Sequence, residues 1–304
     1  MPERGWVVAG IGGETFSQLT DGLSGSQLHS LLLEVMRRRA GARTPAEVLG
    51  QYERDRFTAP AVIDLRTSLA VDAHLLAAAV EFEAIELSPV TPLGTCSSVA
   101  PTDQHRVLSA LRGTEVVSDP TNVLALEAAR RMRAGAAACH FATAQRVVRA
   151  QPVPKLPGYA QHFRIFALGS GTIETKDHAA TIGALALHVR TLLDALDRLE
   201  RDGYAFGARR LDVLATTARA AVGDRLAAAL AGRVAVARKP LDHGYYSGGL
   251  RYMLWVTAPD GTEIPLGDGG AFDWLARLLS NRRAVYVASG LGAQLVAVRF
   301  GAAR

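Results

Sequence analysis

The sequence is poor in cysteine, and that shortage excludes two classes of protein. Only Cys96 and Cys139 occur among 304 residues, and they lie far apart in the chain. Two distant thiols form neither a disulfide framework nor a zinc-binding motif, so we expect buried structural thiols and no metal site. Apolar residues at 49% and charged residues at 21% are ordinary values, and they indicate a globular chain with a sizeable core.

Long apolar runs are absent as well. No run approaches the ~20 residues that a membrane-spanning helix needs. The first six residues, Met1 to Trp6, lack the basic and then apolar pattern of a signal peptide. The sequence therefore predicts no membrane partner and a cytoplasmic location, which free cysteines also suit.

Positive charge is in modest excess, with a formal net charge of +5 and a pI near 9.5. Such a balance mildly favours anionic partners such as nucleotides or RNA. The arginines are scattered, however, and the one tight run, Arg37 to Arg39, ends a predicted helix where cations suit the helix dipole. A solvated helix end is favoured over a nucleic-acid patch.

The most informative stretch runs from Leu241 to Trp274. It holds a double tyrosine, Tyr245 and Tyr246, before an aromatic and β-branched run that predicts a strand. Pro259-Asp260-Gly261 predicts a tight reversal. The return segment contains a Gly267-Asp268-Gly269-Gly270 loop, whose glycines let a backbone approach a ligand or another strand closely.

Two further elements carry candidate chemistry. Asp119 and Thr121 lie at a strand end and helix start, where they either cap the helix or converge on one ligand. Arg149 ends a predicted strand, and a Pro-rich loop separates it from a second strand. A planar guanidinium there can bridge a phosphate and a carboxylate.

These motifs resemble those of histidyl-tRNA synthetase and of the regulatory subunit of ATP phosphoribosyltransferase, both of which have the class II aminoacyl-tRNA synthetase fold. The resemblance implies an α/β (α+β) fold with an antiparallel sheet flanked by helices. It also implies one domain over 1–304, with a small helical insertion around 172–235 and no anticodon-binding domain. The predicted helix of 64–79 and strand of 82–87 resemble motif 1, which builds the dimer interface in that family.

The resemblance assigns roles to individual residues. The predicted catalytic residues are Arg149 and Arg238. The predicted nucleotide-binding residues are Arg149, Gln151, Phe163 and Gln294. The predicted amino-acid-binding residues are Asp119, Thr121, His162, Tyr245, Tyr246, Gly267, Asp268, Gly269 and Gly270.

Several positions depart from the family pattern. Gln151 and His162 stand where the family often has carboxylates. In the element that resembles motif 3, Ala293 and Gln294 stand where the family has glutamate and an ATP-holding arginine. A glutamine has no charge with which to neutralise a triphosphate. Ordinary synthetase activity, and binding of a whole tRNA, are therefore not expected.

Three functions remain open from the sequence. The first is a sensor or regulatory subunit that binds histidine or a related small amino acid and works with a partner enzyme. The second is an ATP- and Mg²⁺-dependent enzyme that activates an amino-acid carboxylate for transfer to a non-tRNA acceptor. The third is a structural partner with a vestigial pocket. A homodimer is expected in each case.

Overall fold

A computed structural model describes residues 5–301 of the chain. The prediction about a leader concerns Met1 to Trp6, and the first four of these lie outside the described residues. The strands of the described part, in chain order, are β1 Glu83–Ala84, β2 Val90–Pro92, β3 Ser109–Ala110, β4 Thr114–Val116, β5 Cys139–Val148, β6 His162–Ile173, β7 Arg209–Ala215, β8 Ala235–Pro240, β9 Leu250–Thr257, β10 Glu263–Phe272 and β11 Ala284–Leu291.

The helices surround these strands. Their bounds are α1 Gly5–Ile11, α2 Gly13–Ser17, α3 Gly25–Gly41, α4 Pro45–Tyr52, α5 Leu65–Ala78, α6 Pro120–Arg133, α7 Ala179–Arg201, α8 Ala220–Leu230, α9 Trp274–Leu279 and α10 Ala293–Phe300.

One eight-stranded sheet organises the fold. Its strand order is β1-β5-β6-β11-β10-β9-β7-β8, and a small sheet, β2-β4-β3, lies beside it. All neighbours in the large sheet pair antiparallel except at its two ends, where β1 joins β5 and β8 joins β7 in parallel. The predicted α/β fold with an antiparallel sheet flanked by helices is confirmed.

The sheet is covered on both faces, and each face has its own core. One core joins α5, α7, α8 and α10 to the sheet, with Leu185, Leu192 and Leu196 of α7 fully buried. The other joins α6 and α9 to the opposite face around Phe272, Trp274 and Tyr286. Burial on two faces explains why β6 is apolar through Ile165 to Leu168 without alternation.

Helix α7 passes a length and hydropathy test for a membrane span. An 18-residue window within Lys176–Arg201 has a mean hydropathy of 1.3, but 67% of that window is buried inside the fold. Its apolar residues therefore pack on the sheet, as the core helix of a globular protein does.

The segment around 172–235, predicted as a small helical insertion, is part of the main fold in its helices and strand. It supplies α7, β7 and α8. Strands β7 and β8 extend the main sheet beyond β9, and α8 packs on β7. The elements expected from motif 1 are present with different lengths. Helix α5 is capped by Asp64, whereas the strand is reduced to two residues, Glu83 and Ala84.

The predicted hairpin is β9 and β10, and its turn contains Gly261 in the left-handed region at φ 81°. The prediction that Gly267 to Gly270 form a loop is wrong. These residues lie inside β10, hydrogen-bonded to β9 on one side and to β11 on the other. The glycines instead allow neighbouring strands to approach closely. Gly269 pairs with Tyr252 of β9 and with Ser289 of β11. The Tyr252 hydroxyl donates across Gly269 to Ser289 Oγ at 2.6 Å.

A buried chain of hydrogen bonds continues from that contact. Ser289 Oγ lies 2.8 Å from His188 Nδ1, and His188 Nε2 lies 2.7 Å from Ser170 Oγ. Ser170 in turn contacts His140 Nδ1 at 2.7 Å. Burial, with a smaller contribution from His140, lowers the pKa of the fully buried His188 to about 3. The interior therefore holds this imidazole neutral.

We predict that Gly269→Ala destabilises the protein by about 2 to 3 kcal/mol. Overpacking a core costs about 1–3 kcal/mol, and the hydrogen bond between Tyr252 and Ser289 is lost as well. A Cβ there would meet Ser289 Oγ and would lie 2.7 Å from Ala288 O. Urea denaturation measures the change. The matched control is Gly183→Ala in α7, where a Cβ meets nothing within 4 Å and should stabilise the helix slightly. Equal stabilities of the two variants would contradict the prediction.

We predict that His188 makes the protein acid-sensitive. The pKa of His188 is lowered in the folded state, so the unfolded chain binds the proton more readily below its ordinary pKa near 6.5. Stability should be fully present above that pH and fall by up to about 1.4 kcal/mol per pH unit toward pH 3. Unfolding free energies of the wild type and His188→Gln, measured from pH 7 to 4, should show a shallower slope for the variant. Parallel slopes would show that His188 titrates normally in the folded protein.

Candidate functional site

Two adjoining cavities form one cleft on the α6 side of the sheet. Their volumes are about 180 Å³ and 640 Å³. The residues shared by both are Asp119, Arg149, Tyr245, Tyr246 and Asp268. All five are residues that the sequence predicts for the site, so the fold brings together side chains that lie far apart in the chain. Thr121, Gly267 and Gly269 line the smaller cavity with them.

Asp119 and Thr121 lie at the start of α6. Asp119 caps the helix, since Asp119 Oδ1 accepts from the Thr121 backbone N–H at 3.0 Å and from the Thr121 hydroxyl at 2.8 Å. The second carboxylate oxygen, Oδ2, lies 3.6 Å from Arg149 Nη2 inside the cleft. Capping and ligand binding are therefore compatible, because each uses a different oxygen.

Arg149 stands just beyond the end of β5, at the junction of the cleft with a third cavity. Its Nε donates to the Ser118 carbonyl oxygen at 2.9 Å, and its guanidinium lies 5.1 Å from the Phe163 ring centroid. A backbone acceptor and an aromatic face fix the guanidinium plane, which leaves its outer nitrogens available to an anionic group.

The two tyrosines form one wall of the cleft. The Tyr246 hydroxyl donates to Asp268 Oδ2 at 2.5 Å, and Arg251 Nη2 donates to the same oxygen at 3.0 Å. Burial and then the nearby Asp268 carboxylate raise the pKa of Tyr246, and burial and then Asp119 raise the pKa of Tyr245. Both phenols therefore remain protonated hydrogen-bond donors at neutral pH.

Aromatic packing holds this wall in place. Tyr245 makes edge contacts with Tyr246, Phe272 and Trp274 at centroid distances of 5.3, 5.6 and 5.8 Å. A Cβ at Gly270 would lie 2.5 Å from Tyr246 Cδ1. Gly270 does not line the cleft, and its part is to leave room for the Tyr246 ring.

Two other predicted residues lie away from the cleft. Arg238 is on the edge strand β8, where it is exposed and pairs with Asp224 at 3.0 Å. His162 starts β6 with its ring turned to Arg146 Nη1 at 3.0 Å and to the Ala59 carbonyl oxygen at 2.7 Å. Neither residue lines any of the three cavities. The alternation of side chains along β6 explains the position of His162, because Phe163 takes the cleft side.

The predicted nucleotide-binding residues gather around the third cavity, of about 210 Å³. Gln151, Phe163 and Gln294 line it together with Arg149 and the Pro-rich loop. Gln294 Nε2 donates to the Gly158 carbonyl oxygen at 3.3 Å, and its Oε1 accepts from Arg146 Nη1 at 3.4 Å. Gln294 thus ties the loop to α10.

These residues do not fit ATP with Mg²⁺ well. Two arginines, Arg149 and Arg164, line the third cavity, and Arg164 already forms an ion pair with the buried Asp72. Gln294 contributes no charge. Across residues 5–301, no group of three or more His, Cys, Asp and Glu side chains converges as metal ligands do. We therefore derive no chemical step through a nucleotide.

Sequence reasoning missed Arg251. It lies on β9, its guanidinium is 4.7 Å from the Tyr246 ring centroid, and it lines the larger cavity. Its Nε is buried without a hydrogen-bond partner. The sequence does contain a signal for Arg251, since it is the single charged residue inside the apolar run Leu250 to Val256. A charge in a central strand requires a partner or a ligand.

The comparisons with known proteins concern the fold. No protein-family model and no curated protein matches this sequence. An ATP phosphoribosyltransferase regulatory subunit/histidyl-tRNA synthetase from Bacillus halodurans C is similar over 79% of this chain and 81% of its own, at 14% identity and a TM-score of 0.56. A histidine–tRNA ligase subunit from Alicyclobacillus acidocaldarius is similar over 81% of this chain and 96% of its own, at 14% identity and a TM-score of 0.58. Apo histidyl-tRNA synthetase from S. aureus is similar over 76% of this chain and 64% of its own, at 13% identity and a TM-score of 0.52.

At these identities the likeness shows the fold alone. The chain has the fold of the class II aminoacyl-tRNA synthetase core, and structures of the histidyl-tRNA synthetase type share it. The resemblance seen in the motifs is confirmed at that level. The roles assigned to individual residues remain predictions.

We predict that Gln294→Arg destabilises the protein by about 1 kcal/mol more than Gln294→Met, because it places a second cation beside Arg146 at a buried position. Both variants lose the bond that Gln294 Oε1 accepts from Arg146, and the arginine can still donate to the Gly158 carbonyl oxygen, so a greater loss in the arginine variant reports the charge. Urea denaturation at low and high salt measures it. Greater stability of the arginine variant would show that the site accommodates the cation.

Proposed function

We propose that this protein binds a small amino acid of the histidine type in the cleft and acts as a sensor or regulatory subunit rather than as a tRNA-charging enzyme. The observation that carries the proposal is the placement of one carboxylate and one guanidinium, Asp119 and Arg149, on the same wall of a cleft that two protonated tyrosines close. An amino acid is a zwitterion, and this pair matches both of its charges.

The α-ammonium group takes the Asp119 oxygen that the helix cap leaves available, and the Thr121 hydroxyl lies beside it. The α-carboxylate takes the outer nitrogens of Arg149. The ion pair between Asp119 and Arg149 is long, at 3.6 Å, so the ligand exchanges a weak contact for two charge-assisted hydrogen bonds.

The side chain of the ligand extends toward Asp268. Asp268 accepts from Tyr246 and Arg251 through a single oxygen, and its side chain remains 43% exposed toward the cleft. A carboxylate is acceptor-only, so its other oxygen favours a ligand with an N–H donor or a cation at that distance from the α-carbon. An imidazole meets this requirement.

The likeness to a structure whose name includes a regulatory subunit supports a non-catalytic role. So does Gln294, which stands where the family has an arginine and is already bonded to Gly158 and Arg146. In this proposal a homodimer reports the bound amino acid to a partner enzyme in the cytoplasm, and no whole tRNA is bound.

A second function is favoured by one observation. Arg149 lines all three cavities, so the same guanidinium contacts the amino-acid cleft and the position predicted for a nucleotide. An arginine at such a junction suits activation of the ligand carboxylate with ATP. That function predicts pyrophosphate release that depends on the amino acid and on Arg149.

We predict that calorimetric titration with histidine detects binding that is unchanged by ATP and Mg²⁺. Asp119→Asn and Arg149→Gln should each weaken binding about 10- to 100-fold, because hydrogen bonds to charged groups contribute about 1.5–3 kcal/mol. The matched control is Arg238→Gln, which removes an arginine outside the cleft and should bind as the wild type does. Circular dichroism checks that each variant is folded.

The other outcomes separate the alternatives. Binding that tightens with ATP and releases pyrophosphate would establish the activating enzyme and refute the sensor. If Arg238→Gln weakened histidine binding equally, the proposal that the cleft binds the amino acid would be refuted. If neither histidine nor another amino acid binds, both ligand hypotheses fail and the structural-partner hypothesis remains.

A further inference from the structure

The N-terminal arm, residues 8 to 67, buries none of its side chains. From residue 8 to residue 67, no residue of the described chain is buried, although the segment includes α2, α3 and α4. The 17-residue helix α3 begins with a capping box at Ser24, so its N-terminal end is well specified. In proteins, most of the stability of such a helix comes from packing one apolar face. Within the single chain the arm therefore has no buried apolar face to stabilise it.

The apolar face of α3 is regular and uncovered. Leu31, Val35 and Met36 are 41%, 40% and 51% exposed. We call the face the arm stripe, and its residues are Leu28, Leu31, Leu32, Val35 and Met36. Their spacing of three and four residues places them on one side of the helix. Polar residues such as Ser30 and Arg37 occupy the other side.

Helix α5 has a second uncovered apolar surface. Its inner face is packed in the core, with Val71 and Leu75 fully or almost fully buried. On its outer face, Leu65, Leu69 and the following Val80 are 67%, 52% and 82% exposed. We call this surface the α5 stripe, and its residues are Leu65, Leu69, Ala73, Leu76 and Val80. Intervals of three and four residues make it a continuous row along the helix.

Charges at the ends of the two stripes are complementary. The arm stripe ends at the basic run Arg37 to Arg39. Glu34 forms ion pairs with two of these arginines, Arg37 and Arg38. The α5 stripe ends beside two exposed carboxylates, Glu81 and Glu86, and beside Glu83, which already pairs with Arg131 at 2.9 Å. Two helices laid parallel, stripe on stripe, would place the basic run against the acidic one.

We propose that the arm stripe of one copy of this chain packs along the α5 stripe of a second copy, and that the exchange is reciprocal. Both surfaces belong to the same chain, and within one chain Leu31, Val35 and Met36 of the first and Leu65, Leu69 and Val80 of the second stay exposed. Reciprocal exchange about a twofold axis covers all four stripes and forms a closed dimer. It would remove large exposed apolar surfaces that single chains rarely keep. The interface does not depend on the proposed ligand.

Sedimentation velocity on paired variants tests the exchange. Leu31→Glu with Val35→Glu disables the arm stripe, and Leu65→Glu with Leu69→Glu disables the α5 stripe. The wild type should be a dimer, and each double variant alone should be a monomer that keeps the spectrum of the sheet core and loses at most the helical signal of the arm. A mixture of the two should form a heterodimer, because one intact arm stripe still meets one intact α5 stripe. Ser30→Glu and Ala70→Glu, exposed but off the stripes, are the controls and should remain dimeric.

The mixture distinguishes this exchange from other dimers. Pairing of arm with arm, or of α5 with α5, leaves the mixture monomeric or unaltered and would refute the proposal, as would a monomeric wild type. A second measurement does not rely on the glutamate variants. In a Cys139→Ser background, Val35→Cys chains mixed with Leu69→Cys chains should form a heterodimer with a bis-maleimide reagent. Higher salt should reduce its yield, since the charged ends attract each other.

Discussion

The close approach of three strands at Gly269 is the constraint on which the site depends. Gly269 pairs with Tyr252 on one side and Ser289 on the other, and the hydroxyls of these two residues bond across it. A side chain at this position would separate β9 from β11. The neighbouring Gly270 leaves the space in which Tyr246 lies, and Tyr246 binds Asp268. Gly269 and Gly270 therefore determine both the spacing of the strands and the position of Tyr246 in the cleft wall.

From that contact a polar chain runs through the core to His188 and His140, and it explains how polar groups are tolerated there. Each hydroxyl and imidazole in the chain has hydrogen-bond partners, so burial costs little. The cleft itself uses a different arrangement. One of its charge pairs, Asp119 and Arg149, is loose at 3.6 Å, which suits groups that must exchange partners with a ligand.

The fold and the site diverge in what they imply. The fold is that of the class II synthetase core, yet the position at which that family has an arginine holds Gln294, bound to the loop and to Arg146. An arginine there would face a like charge. The cleft holds the polar groups that the resemblance predicts for an amino acid, whereas the position predicted for a nucleotide holds the uncharged Gln294 in a structural contact. This asymmetry is the support for the proposed binding without turnover.

The sequence by itself determined the elements and most of the cleft. The hairpin and the helix of 64–79 follow from local rules, because turns and periodic elements depend on near neighbours. The five shared cleft residues follow from the resemblance of the motifs. Tertiary structure alone decided the rest. It placed Gly267 to Gly270 in a central strand, moved Arg238 and His162 away from the cleft and brought Arg251 to Asp268. These outcomes depend on strand register and on which face each side chain takes, and both are set by pairing between distant segments.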